Sequence, residues 1–268
     1  MDLQATTPTS TLFNTETIHI ELSSKCTLKC PRCPRTELKP EQLNREISLN
    51  EFMSAFSPET LSSIGRVVFC GDVGDPIYAK DFLEIVNYIK ESNSKLRIII
   101  VTNGSYKSTE WWTKLGSMLT RIDKITFSVE GWDQESNEQY RINSNWESIV
   151  TGVKVFRQAS SAYMTWDAIA FKFNEDRIEY MQELAKDFGF DQFQLTLSTK
   201  FNKVYPIYPE GDSLQPKNEL ISSNYRFQRQ YTYFNDRRPS DVGLETNVKL
   251  FESAKTYNNV KPLCSIGN

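Results

Sequence analysis

The chain predicts an α/β fold, a partial (β/α)6 barrel of parallel strands followed by an irregular C-terminal tail. Two observations carry this expectation. Strand-like and helix-like segments alternate six times between about residues 17 and 199. Each connection is also long enough to hold the helix that a parallel crossover requires. Six units fall short of the eight of a closed barrel, so the sheet is expected to curve and remain open.

The elements follow in order. Ile18-His19-Ile20-Glu21-Leu22 alternates apolar and polar residues, the period of a pleated strand. Ser48 and Glu51 have capping-box spacing, in which each side chain satisfies an orphan backbone donor, and Phe52 and Phe56 follow on one helix face. Arg66-Val67-Val68-Phe69-Cys70 is a short apolar strand, and Phe82, Val86 and Ile89 then recur at helical spacing. Leu96 to Val101 and Ile125 to Val129 are the third and fourth strands, separated by a helix with Trp111, Leu115 and Met118 on one side. Trp146, Val150, Val153 and Phe156 mark the next helix, and Tyr163 to Phe171 the fifth strand. Asn174 is placed to cap the last helix, Ile178, Met181, Leu184 and Phe188 line its apolar face, and Gly189 suits a left-handed stop. Phe193 to Leu197 completes the set.

Residues 1–16 read as an N-terminal extension and 17–199 as the core domain. Residues 200–268 read as a tail, where Pro206, Pro209, Gly211, Pro216, Pro239 and Pro262 interrupt aromatic-rich sequence without a sustained period. A composition 39% hydrophobic and 24% charged, with net charge −3, is that of an ordinary globular protein and gives no global reason for nucleic-acid or membrane binding. Runs such as Ile98-Ile99-Ile100-Val101 are too short to span a bilayer. The opening residues lack the basic start and apolar stretch of a secretory signal. Five cysteines, three of them clustered, do not make a disulfide framework in a chain of 268 residues. A reducing cytoplasm is the expected location.

The chemistry concentrates in Cys26-Thr-Leu-Lys-Cys30-Pro-Arg-Cys33, directly after the first strand. Three thiols on one loop, with no fourth cysteine or histidine nearby, leave a coordination position open, as catalytic rather than structural metal sites do. A zinc knuckle is the plainer alternative, but it favours paired C-x2-C units, and no second pair is present. At such strand ends α/β sheets collect their ligands.

The C-x3-C-x2-C spacing resembles the radical S-adenosylmethionine (SAM) superfamily, and further matches arrive in register. Gly71-Asp72-Val73-Gly74-Asp75-Pro76 is similar to the family's Gly-Gly-Glu-Pro segment; Thr102-Asn103-Gly104 follows the third strand; Ser128-Val129-Glu130-Gly131 resembles Ser-x-Asp-Gly. The resemblance covers roughly residues 17–199. It implies that Cys26, Cys30 and Cys33 hold a [4Fe–4S] cluster whose open iron takes the amino and carboxylate groups of SAM. One electron, supplied by a flavodoxin- or ferredoxin-like donor, then cleaves SAM to a 5′-deoxyadenosyl radical that removes a hydrogen from a substrate. It implies SAM contacts from Gly71, Gly74, Asp75, Asn103, Ser128 and Arg141, and adenine contacts from backbone around Ile169 and Leu195. Two positions depart from the family: Arg32 stands where an aromatic is usual, and Asp75 replaces a glutamate.

Several of these residues also have plainer readings. Gly71 and Gly74 fit an ordinary turn, Asp75 a helix cap, Asn103-Gly104 a turn dipeptide, Glu130 a solvated carboxylate and Arg141 a structural ion pair. His19 reads as a packed or surface strand residue and Cys70 as a small core residue. Lys261-Pro262-Leu263-Cys264 resembles the opening of a cysteine-rich SPASM or twitch extension, which points to a peptide or protein substrate and to a chain cut short of its auxiliary ligands. The basic and aromatic stretch Tyr225 to Phe234 is the motif for the alternative, RNA modification. A non-catalytic metal-binding module is the reading from another class.

Overall fold

The computed structural model describes residues 15–31, 33–37, 43–171, 173–197 and 231–234. The chain forms two compact units, Met1–Asn235 and Asp236–Asn268. The second unit, with Cys264, lies outside the described residues, as do Arg32, Arg226 and Arg229.

Six strands run parallel in sequence order: β1 (Thr15–Ile20), β2 (Ile64–Phe69), β3 (Arg97–Thr102), β4 (Lys124–Ser128), β5 (Tyr163–Ala170) and β6 (Gln192–Leu197). A seventh, β7 (Tyr231–Phe234), adds antiparallel to β6, so the open order is β1-β2-β3-β4-β5-β6-β7. This strand was not expected. Tyr-Thr-Tyr-Phe has strong β propensity, but four residues among prolines and charges show no period long enough to read.

The helices are α1 (Pro34–Glu37), α2 (Leu49–Ala55), α3 (Pro58–Ser62), α4 (Phe82–Ser92), α5 (Thr109–Met118), α6 (Gln134–Glu138), α7 (Trp146–Ala159) and α8 (Ile178–Asp187). The core lies between them and one face of the sheet. Strand alternation sends Ile100, Phe127 and Trp166 into it, fully or almost fully buried, against Phe82, Trp112 and Phe156. Burying one large apolar side chain contributes about 1.5–3 kcal/mol. Residues at the other parity, such as Ser128, Asp167 and Gln194, occupy the opposite face, in register with one another across β4, β5 and β6. No helix among the described residues is long and apolar enough to cross a membrane.

Local signals translate unevenly. The capping box forms as read, with Ser48 Oγ accepting from Glu51 N at 3.3 Å and Glu51 Oε2 accepting from Ser48 N at 2.8 Å. Gly189 adopts φ +84° at the end of α8. Asn174, however, does not cap that helix. A 3₁₀ turn over Glu175–Arg177 intervenes, and the Asn174 amide is drawn inward instead. It accepts from Phe171 N at 2.7 Å and donates to Glu130 O at 2.7 Å and Ile169 O at 2.9 Å. Cys70 is half-buried just past β2 and stands outside the core cluster in which it was expected. His19 is an exposed residue of β1.

The amino ends of the strands are closed by a repeated device. Asp123, before β4, accepts from Ile98 N at 2.8 Å, Thr120 N at 2.9 Å and Lys90 Nζ at 2.7 Å. Asp191, before β6, accepts from Met164 N at 2.8 Å and Arg157 Nη1 at 2.9 Å. Each carboxylate holds the start of a neighbouring strand and is neutralised by a helix cation.

Two stability predictions follow from this packing. A Cβ at Gly152 would lie 2.3 Å from Nε1 of the fully buried Trp112, so Gly152→Ala should cost about 1–3 kcal/mol in urea unfolding. An unchanged midpoint would contradict the contact. Asp123→Ala strands a Lys90 side chain only 11% exposed and should cost about 3–5 kcal/mol. Calorimetry showing a near-neutral effect would mean that the pair adds nothing.

Candidate functional site

The loops leaving the carboxyl ends of β1, β2, β3 and β4 meet around the three cysteines. The loop after β2 docks on the cysteine loop by backbone contact. A Cβ on Gly74 would lie 1.7 Å from Ser23 O, and one on Gly71 would lie 2.4 Å from Gly74 O, so both positions exclude any side chain. Asp75 N donates to Lys25 O at 2.9 Å. Glu21 receives two of the loop's amides, Asp72 N at 2.8 Å and Val73 N at 3.4 Å.

Asp75 does more than cap the 3₁₀ turn over Pro76–Tyr78. Its buried carboxylate accepts from Ile77 N at 3.2 Å, Thr102 Oγ1 at 2.9 Å, Asn103 N at 2.7 Å and Asn103 Nδ2 at 2.5 Å. The same Nδ2 faces Cys26 Sγ at 3.6 Å. Burial pushes the Asp75 carboxyl up to about 6, against the opposing pull of these donors. With both oxygens committed to Thr102 and Asn103, Asp75 is a positioning residue in this arrangement.

A second tie comes from the segment after β4. Glu130, fully buried, is no solvated carboxylate: it forms a bidentate ion pair with Arg141, through Oε2 to Nε and through Oε1 to Nη2 at 2.7 Å. The remaining arm, Nη1, lies 3.9 Å from Cys30 Sγ. Burial disfavours the Arg141 charge, but Glu130 and Cys30 outweigh it and raise its pKa. Asn143 Nδ2 donates to Thr27 O at 2.7 Å, and Lys29 N to Ile142 O at 3.0 Å, so this segment grips the cysteine loop from its far side. Tyr106 OH in turn donates to Asn143 O at 3.0 Å. Both residues have left-handed φ, 62° and 67°, which asparagine tolerates better than tyrosine.

The three cysteines are free thiols, Cys30 buried and Cys26 and Cys33 half-buried. Leu28, Tyr140 and Phe171 pack around them, joined by Ile169 and Phe173. Burial pushes the Cys26 thiol up to about 12, with Asp75 adding to it, and the Cys30 thiol to about 11, with Arg141 opposing. Cys33 Sγ lies 3.9 Å from Asp72 O. Each sulfur therefore meets a polar group from a different strand-end loop.

Of the residues that the sequence singled out, Gly71, Gly74, Asp75, Asn103 and Arg141 lie in this assembly with the cysteines. Ser128 is half-buried at the end of β4, opposite Asp167. Ile169 packs beside the cysteines, whereas Leu195 is buried in the main core. Sequence reasoning missed Asn143, Tyr78 and Asp167. The Tyr78 hydroxyl donates to Ser105 O at 2.8 Å and is 2.9 Å from Thr27 Oγ1, another bridge onto the cysteine loop. Asp167 carried a readable signal, an acid inside an otherwise apolar and hydroxylic strand, at the parity of Thr165.

Residues 20–188 match the radical SAM superfamily. No curated protein sequence matches the chain. Among solved structures, the fold is similar to Streptococcus suis SuiB bound to S-adenosylmethionine, at 16% identity and a TM-score of 0.55 over 72% of this chain and 41% of that one. SuiB bound to its precursor peptide SuiA gives 16% and 0.56 over 68% and 39%. The structure of anSMEcpe with bound AdoMet and the Cp18Cys peptide gives 17% and 0.51 over 68% and 50%. At these identities the likeness is one of fold, and the chain spans less than half the length of SuiB. The family match extends from the end of β1 through α8, across the cysteine loop and all the strand-end loops around it: the chain belongs to the radical SAM superfamily.

Proposed function

We propose that the chain is a radical SAM enzyme in which Cys26, Cys30 and Cys33 hold a [4Fe–4S] cluster, SAM takes the open iron, and the substrate is a peptide or protein side chain. The observation that carries the reading is the meeting of three cysteine thiols with polar groups from separate loops, two of them donors, Asn103 Nδ2 on Cys26 and Arg141 Nη1 on Cys30. The donor set fits the group. Thiolates are the ligands that iron–sulfur clusters take, and N–H groups aimed at sulfur stabilise their charge. Burial holds Cys26 and Cys30 protonated in the bare protein, and metal binding is what displaces such protons. The thiols influence one another electrostatically, yet no three His, Cys, Asp or Glu among the described residues converge as a site for one ion.

When bound, cluster and SAM together supply one-electron chemistry, reductive cleavage of the sulfonium that ends in removal of a hydrogen atom from the substrate. The chain's own residues prepare for it. Asp75 aims the Asn103 amide, and Glu130 aims and charges the Arg141 guanidinium. Leu28, Tyr140 and Phe171 exclude water beside Cys30. In this reading Gly71, Gly74 and Ser128, after β2 and at the end of β4, receive the methionyl end of SAM. SuiB with SuiA and anSMEcpe with a peptide supply the support for a peptide substrate. A flavodoxin- or ferredoxin-like donor supplies the electron, and a reducing cytoplasm suits four free described cysteines.

Anaerobic reconstitution with iron and sulfide should give the absorption and EPR signals of one [4Fe–4S] centre, and reductant with SAM should release 5′-deoxyadenosine. Replacing any one of Cys26, Cys30 or Cys33 by Ala should abolish both, while Cys264→Ala leaves SAM cleavage largely intact. A stably bound zinc and no 5′-deoxyadenosine would leave the non-catalytic module standing. Glu130→Ala, which strands the Arg141 charge, should cost the bare protein about 3–5 kcal/mol in urea unfolding.

A further inference from the structure

Among the described residues, Asp167 carries the one buried carboxylate oxygen without a hydrogen-bond partner. It stands on β5, in register with Ser128 on β4 and Gln194 on β6. All three are at the parity facing away from the helix-packed core, toward the concave side beneath the cysteine loop. Its Oδ1 is buried without a hydrogen-bond partner among the described residues. The buried acids Asp75, Asp123 and Glu130 are satisfied, by Thr102 and Asn103, by Lys90 and by Arg141 respectively. Burial first, then Glu130, raises the Asp167 carboxyl to about 7, while Arg141 and Lys124 pull the other way. Neither cation is an ion-pair partner. Arg141 is held in two-pronged fashion by Glu130, and Lys124 enters four residues before Ser128, with its ammonium 5.9 Å from the Tyr163 ring centroid.

Asp167 is half-buried, with one oxygen sealed from water, and a sealed carboxylate oxygen is disfavoured unless something supplies a donor or a positive charge. The row offers a hydroxyl, an acid and an amide side by side, and the pair beside it is already neutral. We propose that Asp167 anchors an alkylammonium group of the substrate, the lysine side chain of a peptide or a free amine. The proposal rests on the enzyme reading above and adds what that reading leaves open, the chemistry of the group held beneath the SAM site.

The test uses the reconstituted full chain with SAM and two probes, Nα-acetyl-lysine N-methylamide and n-butylamine, by calorimetric titration. Nα,Nε-diacetyl-lysine N-methylamide serves as the neutral counterpart. Wild type should bind the charged lysine probe about tenfold or more tightly than the acetylated one. Asp167→Asn should erase that preference while leaving SAM affinity within about twofold. Tighter binding of the lysine probe than of butylamine would assign the peptide source, and the reverse a free amine. Equal binding of charged and neutral probes by wild type, or no saturable binding of either amine, overturns the proposal. A collapse of SAM affinity in Asp167→Asn also overturns it, because Asp167 would then serve the cofactor. Failure of the enzyme reading looks different: wild type would release no 5′-deoxyadenosine, whatever the amines do.

Discussion

The site depends on one buried carboxylate. Asp75 receives Thr102 Oγ1, Asn103 N and Asn103 Nδ2, and its own amide donates to Lys25 O. These bonds fasten the loops after β1, β2 and β3 to one another. Through Asn103 they also fix what Cys26 sees. An acid at 6% exposure is stable only while those donors stay in place. The cysteine loop has little regular structure of its own, and its shape is borrowed from this junction. One methylene fewer than the family's glutamate brings the carboxylate close to its own backbone, where it also accepts from Ile77 N. The residue that resembles a ligand thus works by orienting a neighbour.

The two ends of the sheet show contrasting uses of charge. At the amino ends Asp123 and Asp191 are closed pairs, each joined to a backbone amide and a helix cation. Their partners come from elements already packed together, and nothing remains to bind. At the carboxyl ends charged groups are left partly open. Arg141 keeps one arm free of Glu130, toward Cys30, and Asp167 keeps an oxygen without a partner. In barrels of this kind the carboxyl-end loops carry chemistry and the opposite face carries stability. Arg141 and Asp167 lie on the side of that division that carries chemistry.

Much of this was legible from the chain. Six strands and the main helices follow from period alone because each buries one face, and the capping box at Ser48 is a local device that needs no tertiary context. The cysteine loop was legible because its chemistry lies within eight residues. Asn174 was misread because its amide had two competing uses, and buried carbonyls at Glu130 and Ile169 outbid the helix end. Glu130 and Arg141, eleven residues apart, could not be paired by any helical or strand period. The chain between them turns through α6. β7 was missed because its partner, β6, lies more than thirty residues away, across a segment without a readable period.

The Glu130–Arg141 pair also bears on why the site is polar at all. Replacing a buried ion pair by well-packed apolar groups is often neutral or stabilising, so stability alone is weak ground for keeping one beneath a loop already lined by Leu28, Tyr140 and Phe171. What an apolar replacement could not do is point an N–H at the Cys30 sulfur while staying charged in a dry environment. Glu130 lets Arg141 do so, because the carboxylate offsets the cost of burial that the guanidinium would otherwise bear alone. The same dryness strengthens each donor that faces sulfur. It also leaves Asp167, one strand over, as an acid without an ion-pair partner among the described residues. With Arg141 held by Glu130 on the cysteine side, the proposed alkylammonium supplies the ion-pair partner that Asp167 lacks among the described residues.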